Sequence, residues 1–357
     1  MFREDRKPIF ASNAPHIRDG GSVKKIMWTV VLALLPAVVY SVYIFGLRAL
    51  VLYVVSVLAA VIAETIMRLL LKRKITSLDG SAVITGILIA MNVPPASPVW
   101  MTAIGSVFAI VIVKQLFGGL GFNIFNPALA ARAFMLASWP AYMTAGWNIF
   151  DNEKVISQIP LSAPPAFPQE VFDVMTGATP LTALKEGTRM LADYNIKIEE
   201  FCAFLFSPEM IWSQFKGNIG GCVGETSALL LLIGGLILLV RRVITWHIPV
   251  SYILSVAGLT FLYYSLIGYP QPQMIALSNV LTGGLILGAF FMATDMVTSP
   301  VSKKGMLLFG VGCGLITFVI RIWGGYPEGV CYSILLMNAT VPLIDRFTKP
   351  KIFGRHN

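Results

Sequence analysis

The clearest chemical signal in this chain is the run Asp173-Val174-Met175-Thr176-Gly177-Ala178-Thr179, followed by Pro180. A hydroxyl just before proline is how many helices begin, with the hydroxyl as N-cap and proline at the first helical position. The spacing predicts a helix from Thr179 to about Leu191, and capping alone would account for the motif. The same position offers a second chemistry. Free N–H groups at a helix start attract phosphate, and Gly177 and Ala178 leave room for close approach. A phosphorylated ligand can be held there, or esterified to the Thr179 hydroxyl, and composition leaves both readings open. Phe291 and Asp295 form another candidate set, an aromatic one helical turn before an acid. An ionisable group inside a membrane marks an ion path by default. The alternative for Asp295 is a cap at the inner surface, near Lys303.

The elements that must position these residues follow from composition. The 357 residues are 56% hydrophobic and only 13% charged, with a mean hydropathy of +0.75. Soluble domains are about a quarter charged, so a soluble enzyme, a disordered chain and a secreted disulfide scaffold are excluded. Apolar runs place spans at 26–46, 49–71, 81–93, 99–116, 127–148, 224–240, 247–267, 276–293, 304–322 and 329–345, each near the ~20 residues that cross a bilayer or shorter. The expected fold is an all-α membrane protein of about ten transmembrane helices. The 21 Pro and 31 Gly argue against uninterrupted helices.

Charge orients the spans. The net charge of +9 suggests nucleic acid, but the basic residues cluster at the ends of apolar runs: Lys24–Lys25, Lys72–Lys74, Arg241–Arg242, Lys303–Lys304 and the tail from Arg346. That is the cytoplasmic pattern of a membrane protein, with lipid and not nucleic acid as partner. Nine of the 18 acidic residues fall in one stretch: Asp151, Glu153, Glu170, Asp173, Glu186, Asp193, Glu199, Glu200 and Glu209. With both termini cytoplasmic, that stretch lies outside, and Thr179 with it. Met1 to Val23 shows no signal-peptide pattern, so the first span is expected to be retained. The expected organisation is a cytoplasmic segment 1–23, a membrane repeat 24–148, an extracytoplasmic loop 149–219, a second repeat 220–345 and a cytoplasmic tail 346–357.

The two halves match each other. SAVITGILIA at 81–90 aligns with SNVLTGGLIL at 278–287, GGSV at 20–23 with GGCV at 220–223, and Phe117–Gly119 with Trp323–Gly325. An odd number of spans per repeat inverts the second half, giving a 5+5 inverted repeat with broken helices at its centre. Span three is short and stops at Pro94–Pro95; span eight carries Gly283, Gly284 and Gly288. Ordinary short helices in a packed bundle remain the plainer alternative. Cys202, Cys222, Cys313 and Cys331 include no CxxC pair. They are expected to act as small buried hydrophobes, with no metal or dithiol site made by this chain alone. Glu64 and Arg68 are spaced to pair with each other. Glu225, Glu328 and Arg321 sit at span ends, where anchors or subunit contacts are expected. Gly118, Gly119, Asn123 and Asn126 suit either turn and cap roles or polar recognition of a ligand.

The run at 173–179 resembles the flavinylation motif D-x-x-[ST]-G-A-[TS] of the membrane subunits of the Rnf and Na+-pumping quinone reductase complexes. GGLGFNIFNPALAARAF at 118–134, GGCVGETSALLLLIGG at 220–235, FFMATDMVTSPVSKKG at 290–305 and GGYPEGVCYSILLMNA at 324–339 are similar to the same family. The resemblance covers nearly the whole chain, and is nearer to the D subunits of Rnf complexes than to the B subunits of the quinone reductases.

The resemblance implies FMN joined through its phosphate to Thr179, with Asp173, Thr176, Gly177 and Ala178 as recognition context. A separate flavin transferase would install it outside the cytoplasm, and Thr182 is out of register. A second, non-covalent flavin, riboflavin, is implied near the membrane. The resemblance also puts Phe291 and Asp295 at an aromatic constriction with a nearby acid on an ion path; Leu287 stands where a second aromatic would be. Two functional readings follow. One is a subunit of a ferredoxin:NAD+ oxidoreductase in the cytoplasmic membrane of a bacterium or archaeon, coupling electron transfer to Na+ or H+ movement. The ferredoxin and NAD sites would then lie on partner subunits, since no dinucleotide fingerprint or cysteine cluster is present. The other is a channel or secondary transporter with no redox role.

Overall fold

The structure, a computed structural model, describes residues 22–73, 79–144, 181–185, 198–217, 220–225, 227–325 and 328–348. Among these residues helices are the only regular elements. The first, α1, covers Val23–Leu70. At ~1.5 Å per residue a straight helix of that length would overrun a ~30 Å hydrocarbon core about twofold. Gly46 breaks it, with φ 66° and ψ −152°. Two spans result, as the apolar pattern predicts.

Helix α2 (Ser81–Met91) is the short third span, and residues 92–98 after it are non-helical where Pro94 and Pro95 stand. Helix α3 (Val99–Phe108) widens into a π-helix at Ala109–Gln115, which brings both Lys114 and Gln115 inside. Asn126 caps α4 (Pro127–Ser138), its Oδ1 accepting from the amides of Ala128 and Leu129. The fifth span is shorter than 127–148: α4 stops at Ser138, and Pro140 opens only a single turn, α5 (Pro140–Met143). Proline disfavours helical geometry in the residue before it, and Trp139 sits at φ −136°. Residues 145–148 lie outside the described residues.

The stretch expected to be a loop contains folded helices. Residues 181–185 are helical, followed by α6 (Ile198–Leu205) and α7 (Pro208–Lys216). Ala183, Leu184, Phe201, Cys202, Leu205 and Phe206 make a small apolar core with Ile275 of the membrane bundle. Burial beside Glu199 pushes the Cys202 thiol up to about 11, which suppresses thiolate reactivity.

The second half holds α8 (Ala228–Val240), α9 (His247–Ile267), α10 (Pro272–Leu281), α11 (Leu285–Leu287) continued by a π-turn at Gly288–Met292, α12 (Lys303–Trp323) and α13 (Val330–Phe347). The sixth span starts later than 224 because Val223–Glu225 form a separate 3-10 turn and Ser227 caps α8. Among the described residues α1, α9, α12 and α13 are long and apolar enough to cross a membrane, and α10 with α11 makes a fifth such unit bent by 58°. Leu32, Leu58, Leu254, Leu262, Leu308 and Leu315 are exposed, as lipid-facing residues of an all-α membrane protein are. α1 packs on α8, and α4 on α13, so the halves interlock.

Candidate functional site

The two matched segments keep one detail and part at another. Thr85 Oγ1 donates to Ser81 O in α2, and Thr282 Oγ1 to Ser278 O in α10. α2 runs on through Gly86, where a Cβ would come within 2.6 Å of Val57 Cα. α10 ends, because Gly283 and Gly284 both take positive φ (66° and 65°). Side chains resist that region; glycine does not.

The break leaves helix-end carbonyls without intrahelical partners, and Arg321 of α12 supplies donors. Its guanidinium donates to Asn279 O, to Asn279 Oδ1 at 3.3 Å, to Thr282 O at 3.2 Å and to Gly283 O at 3.3 Å. Broken helices of transporters point such carbonyls at a transported cation. Here a protein cation occupies the position.

Beside the break lies a buried charge cluster. Arg132 of α4 contacts Glu328 Oε2, donates to Asn92 Oδ1 at 2.8 Å and reaches Cys222 Sγ at 3.5 Å. Cys222 Sγ and carboxylate oxygens of Glu225 and Glu328 all lie within 4.8 Å of one another. Glu225 and Arg321 are buried, and both work inside the chain, which corrects their expected role as anchors at the membrane interface. The reason is steric: the segment from Gly220 to Glu225 folds inward, and Gly224 packs on Met91.

Two cavities flank this centre. One, of about 360 Å³, is lined by Leu181, Leu184, Lys185, Tyr264, Tyr269 and Arg321, among others. Leu181 presses on Gly283 at the break, and Lys185 Nζ donates to Gly324 O. The other, of about 120 Å³, is lined by Ser81, Lys114, Asn123, Asn126, Phe291 and Asp295, among others. The structure thus brings Phe291 and Asp295 together on one cavity wall. Asp295 also caps its own turn, accepting from Val297 N and Thr298 Oγ1. Asn123 and Lys114 line the same cavity. Asn126, besides capping α4, donates from Nδ2 to Met292 O at 3.2 Å. Gly118 and Gly119 do not line the cavity; both have positive φ in a turn. Glu64 meets Arg68 as spaced, and also Lys114 at 3.0 Å and Gln115 at 2.9 Å. All four cysteines are buried and free. Asp173, Thr176, Gly177, Ala178 and Thr179 lie outside the described residues.

Residues 10–354 match the NQR2, RnfD, RnfE family. The chain belongs to that family. It is 46% identical over 97% of its length to the D subunit of the Na(+)-translocating ferredoxin:NAD(+) oxidoreductase complex of Acetobacterium woodii, covering 95% of that protein. It is 44% identical over 98% of its length to the D subunit of the proton-translocating ferredoxin:NAD(+) oxidoreductase complex of Clostridium ljungdahlii, covering 97% of it. The D subunit of the ion-translocating oxidoreductase complex of Stutzerimonas stutzeri is 40% identical, with 94% and 93% of the two chains aligned.

For this member of the NQR2, RnfD, RnfE family, sequence reasoning missed the convergence of Arg132, Glu225, Glu328 and Arg321. Two signals pointed to it. Arg132 interrupts an apolar span, where a charge is costly. The Phe117–Gly119 and Trp323–Gly325 match also sets Arg321 against Gln115, a cation where the first repeat has a neutral amide.

Proposed function

We propose that this chain is the membrane subunit of an Rnf-type complex that couples electron transfer between ferredoxin and NAD to Na+ or H+ transport. It carries FMN through a phosphoester on Thr179, attached by a separate flavin transferase, and works with the other subunits of the complex in the cytoplasmic membrane. Both termini are cytoplasmic and the flavin segment is outside. The observation that carries this reading is end-to-end similarity to relatives named as subunits of ferredoxin:NAD(+) oxidoreductase complexes. It favours the redox reading over a plain channel. Relatives of nearly equal identity differ in their named ion, Na+ in one and the proton in the other.

The flavin supplies the electron chemistry, and the chain supplies position and polarity. The cavity beginning at Leu181 supports the placement. Leu181 is two residues from Thr179, a span of at most about 7 Å, and the cavity combines aromatic walls with Lys185 and Arg321, which suit a flat ring that gains negative charge. The cavity at Asn123, Asn126 and Lys114 offers amide and ammonium donors with apolar walls, and these residues fit a second, non-covalent flavin such as riboflavin. Intact-mass spectrometry of the native protein tests the reading. A mass increased by one esterified FMN is expected, and an unmodified mass overturns it.

Asp295 and Phe291 stand on the ion path in this reading. Asp295→Asn keeps the acceptor for Val297 N and removes the charge, with an amide nitrogen in place of the oxygen that meets Thr298 Oγ1. In reconstituted complex, ion uptake per electron is expected to fall severalfold while covalent flavin content stays the same. Unchanged coupling would reject a direct role for Asp295.

A further inference from the structure

Glu225 is more than nine-tenths buried, and its Oε1 has no hydrogen-bond partner among the described residues. Two glycines shape its pocket. A Cβ on Gly284 would stand 3.3 Å from Oε1, and one on Gly221 would stand 2.9 Å from Oε2. The carboxylate therefore lies between the inward-folded segment 220–225 and the helix break, where α2 also ends. The charges facing it come from three directions. Arg132 approaches from α4, Glu328 from just before α13 and Arg321 from α12, while Cys222 lies on its own segment.

Neither arginine hydrogen-bonds Glu225. Arg132 is committed to Glu328 Oε2 and Asn92 Oδ1, and Arg321 to the carbonyls of Asn279, Thr282 and Gly283. A carboxylate buried without a paired charge is strongly unfavourable. With both guanidinium groups bonded elsewhere, Oε1 faces the break without a donor, an open position for a proton or a small cation.

We propose that Glu225 is a binding site for the transported monovalent cation, H+ or Na+, at the junction of the two halves. The inference rests on the ion-translocating reading above and adds a central station to it, distinct from Asp295. When the cation is present Glu225 is neutralised and Arg132 stays on Glu328. When it leaves, Arg132, already next to Glu328 and Cys222, supplies a counter-charge, and its shift carries the change to α2 through Asn92. The two cation sources share one chemistry, neutralisation of a single buried carboxylate.

The test uses the whole complex, detergent-purified, and a hydrophobic carbodiimide that modifies protonated carboxyls shielded from water. Peptide mass spectrometry is expected to find the adduct on Glu225. Loss of the adduct when Na+ is added at fixed pH identifies Na+ as the ligand. An adduct indifferent to Na+ that fades only as pH rises identifies the proton. In proteoliposomes, Glu225→Gln should retain its covalent flavin while ion uptake falls by at least about tenfold, with Glu225→Asp partly restoring it. No adduct at any pH, or full uptake in a flavin-loaded Glu225→Gln complex, overturns the proposal. A chain lacking covalent flavin would defeat the cofactor assignment but leave the labelling result readable.

Discussion

Thr179→Ala is expected to abolish the fluorescent flavin band of the denatured protein and to lower its intact mass by one esterified FMN. Ferredoxin-dependent NAD+ reduction by the assembled complex should fall to background, since a redox centre is lost. The substitution separates the two chemistries open to this residue. If Thr179 only caps a helix, alanine costs about 0.5–2 kcal/mol, too little to unfold a membrane bundle, and the flavin content does not change. If its oxygen carries the phosphoester, no bond can form on alanine, whatever the stability. Thr179→Ser preserves a hydroxyl and should keep the band, and Thr182→Ala, three residues on, should be silent. Covalent fluorescence that persists in Thr179→Ala would sink the assignment. On the proposed reading, variants of Asp173 should also load less flavin.

The membrane class and the helices were legible because apolar length and glycine position act locally. Gly46 separates the first two spans, Pro94–Pro95 follow the third, and Gly283–Gly284 break the eighth. Less legible was anything set by contact between distant segments. The match of 81–90 to 278–287 predicts equivalent breaks, yet α2 continues through Gly86 because Val57 packs there and Ile87 follows, where the second repeat has Gly284. The stretch 149–219 read as a loop from its charge, while its described helices are held by Phe201, Phe206 and Ile275, the last far from the others in sequence. Phe291 and Asp295, one helical turn apart in sequence, line one cavity. The cluster of Arg132, Cys222, Glu225 and Glu328 joins residues up to 196 positions apart. Arg132 stands out locally as a charge in an apolar span, but no local pattern announces which residues it meets.

Arg321→Met should be the most damaging substitution in the second half. Arginine presents five donors in a planar fork, and here the fork spans the carbonyls of Asn279, Thr282 and Gly283 around the break. Methionine fills similar space but leaves those oxygens buried without donors. Removing one member of a buried charged network costs about 3–5 kcal/mol, so a large fall in the melting temperature of the solubilised complex is expected. Arg321→Lys distinguishes charge from geometry. Lysine keeps the charge but offers a point donor that cannot bridge the carbonyls, so an intermediate loss is expected; wild-type stability in the lysine variant would show that charge alone suffices. The same substitution should reach the flavin. Leu181 and Arg321 both press on Gly283 and both line the cavity at Lys185, so a relaxed break shifts the helix at 181–185 that follows Thr179. Arg321→Lys is therefore expected to change the fluorescence of covalently bound flavin while leaving its amount constant. Unaltered stability in Arg321→Met would show that the break holds itself, and the mechanical link from ion path to flavin would be lost with it.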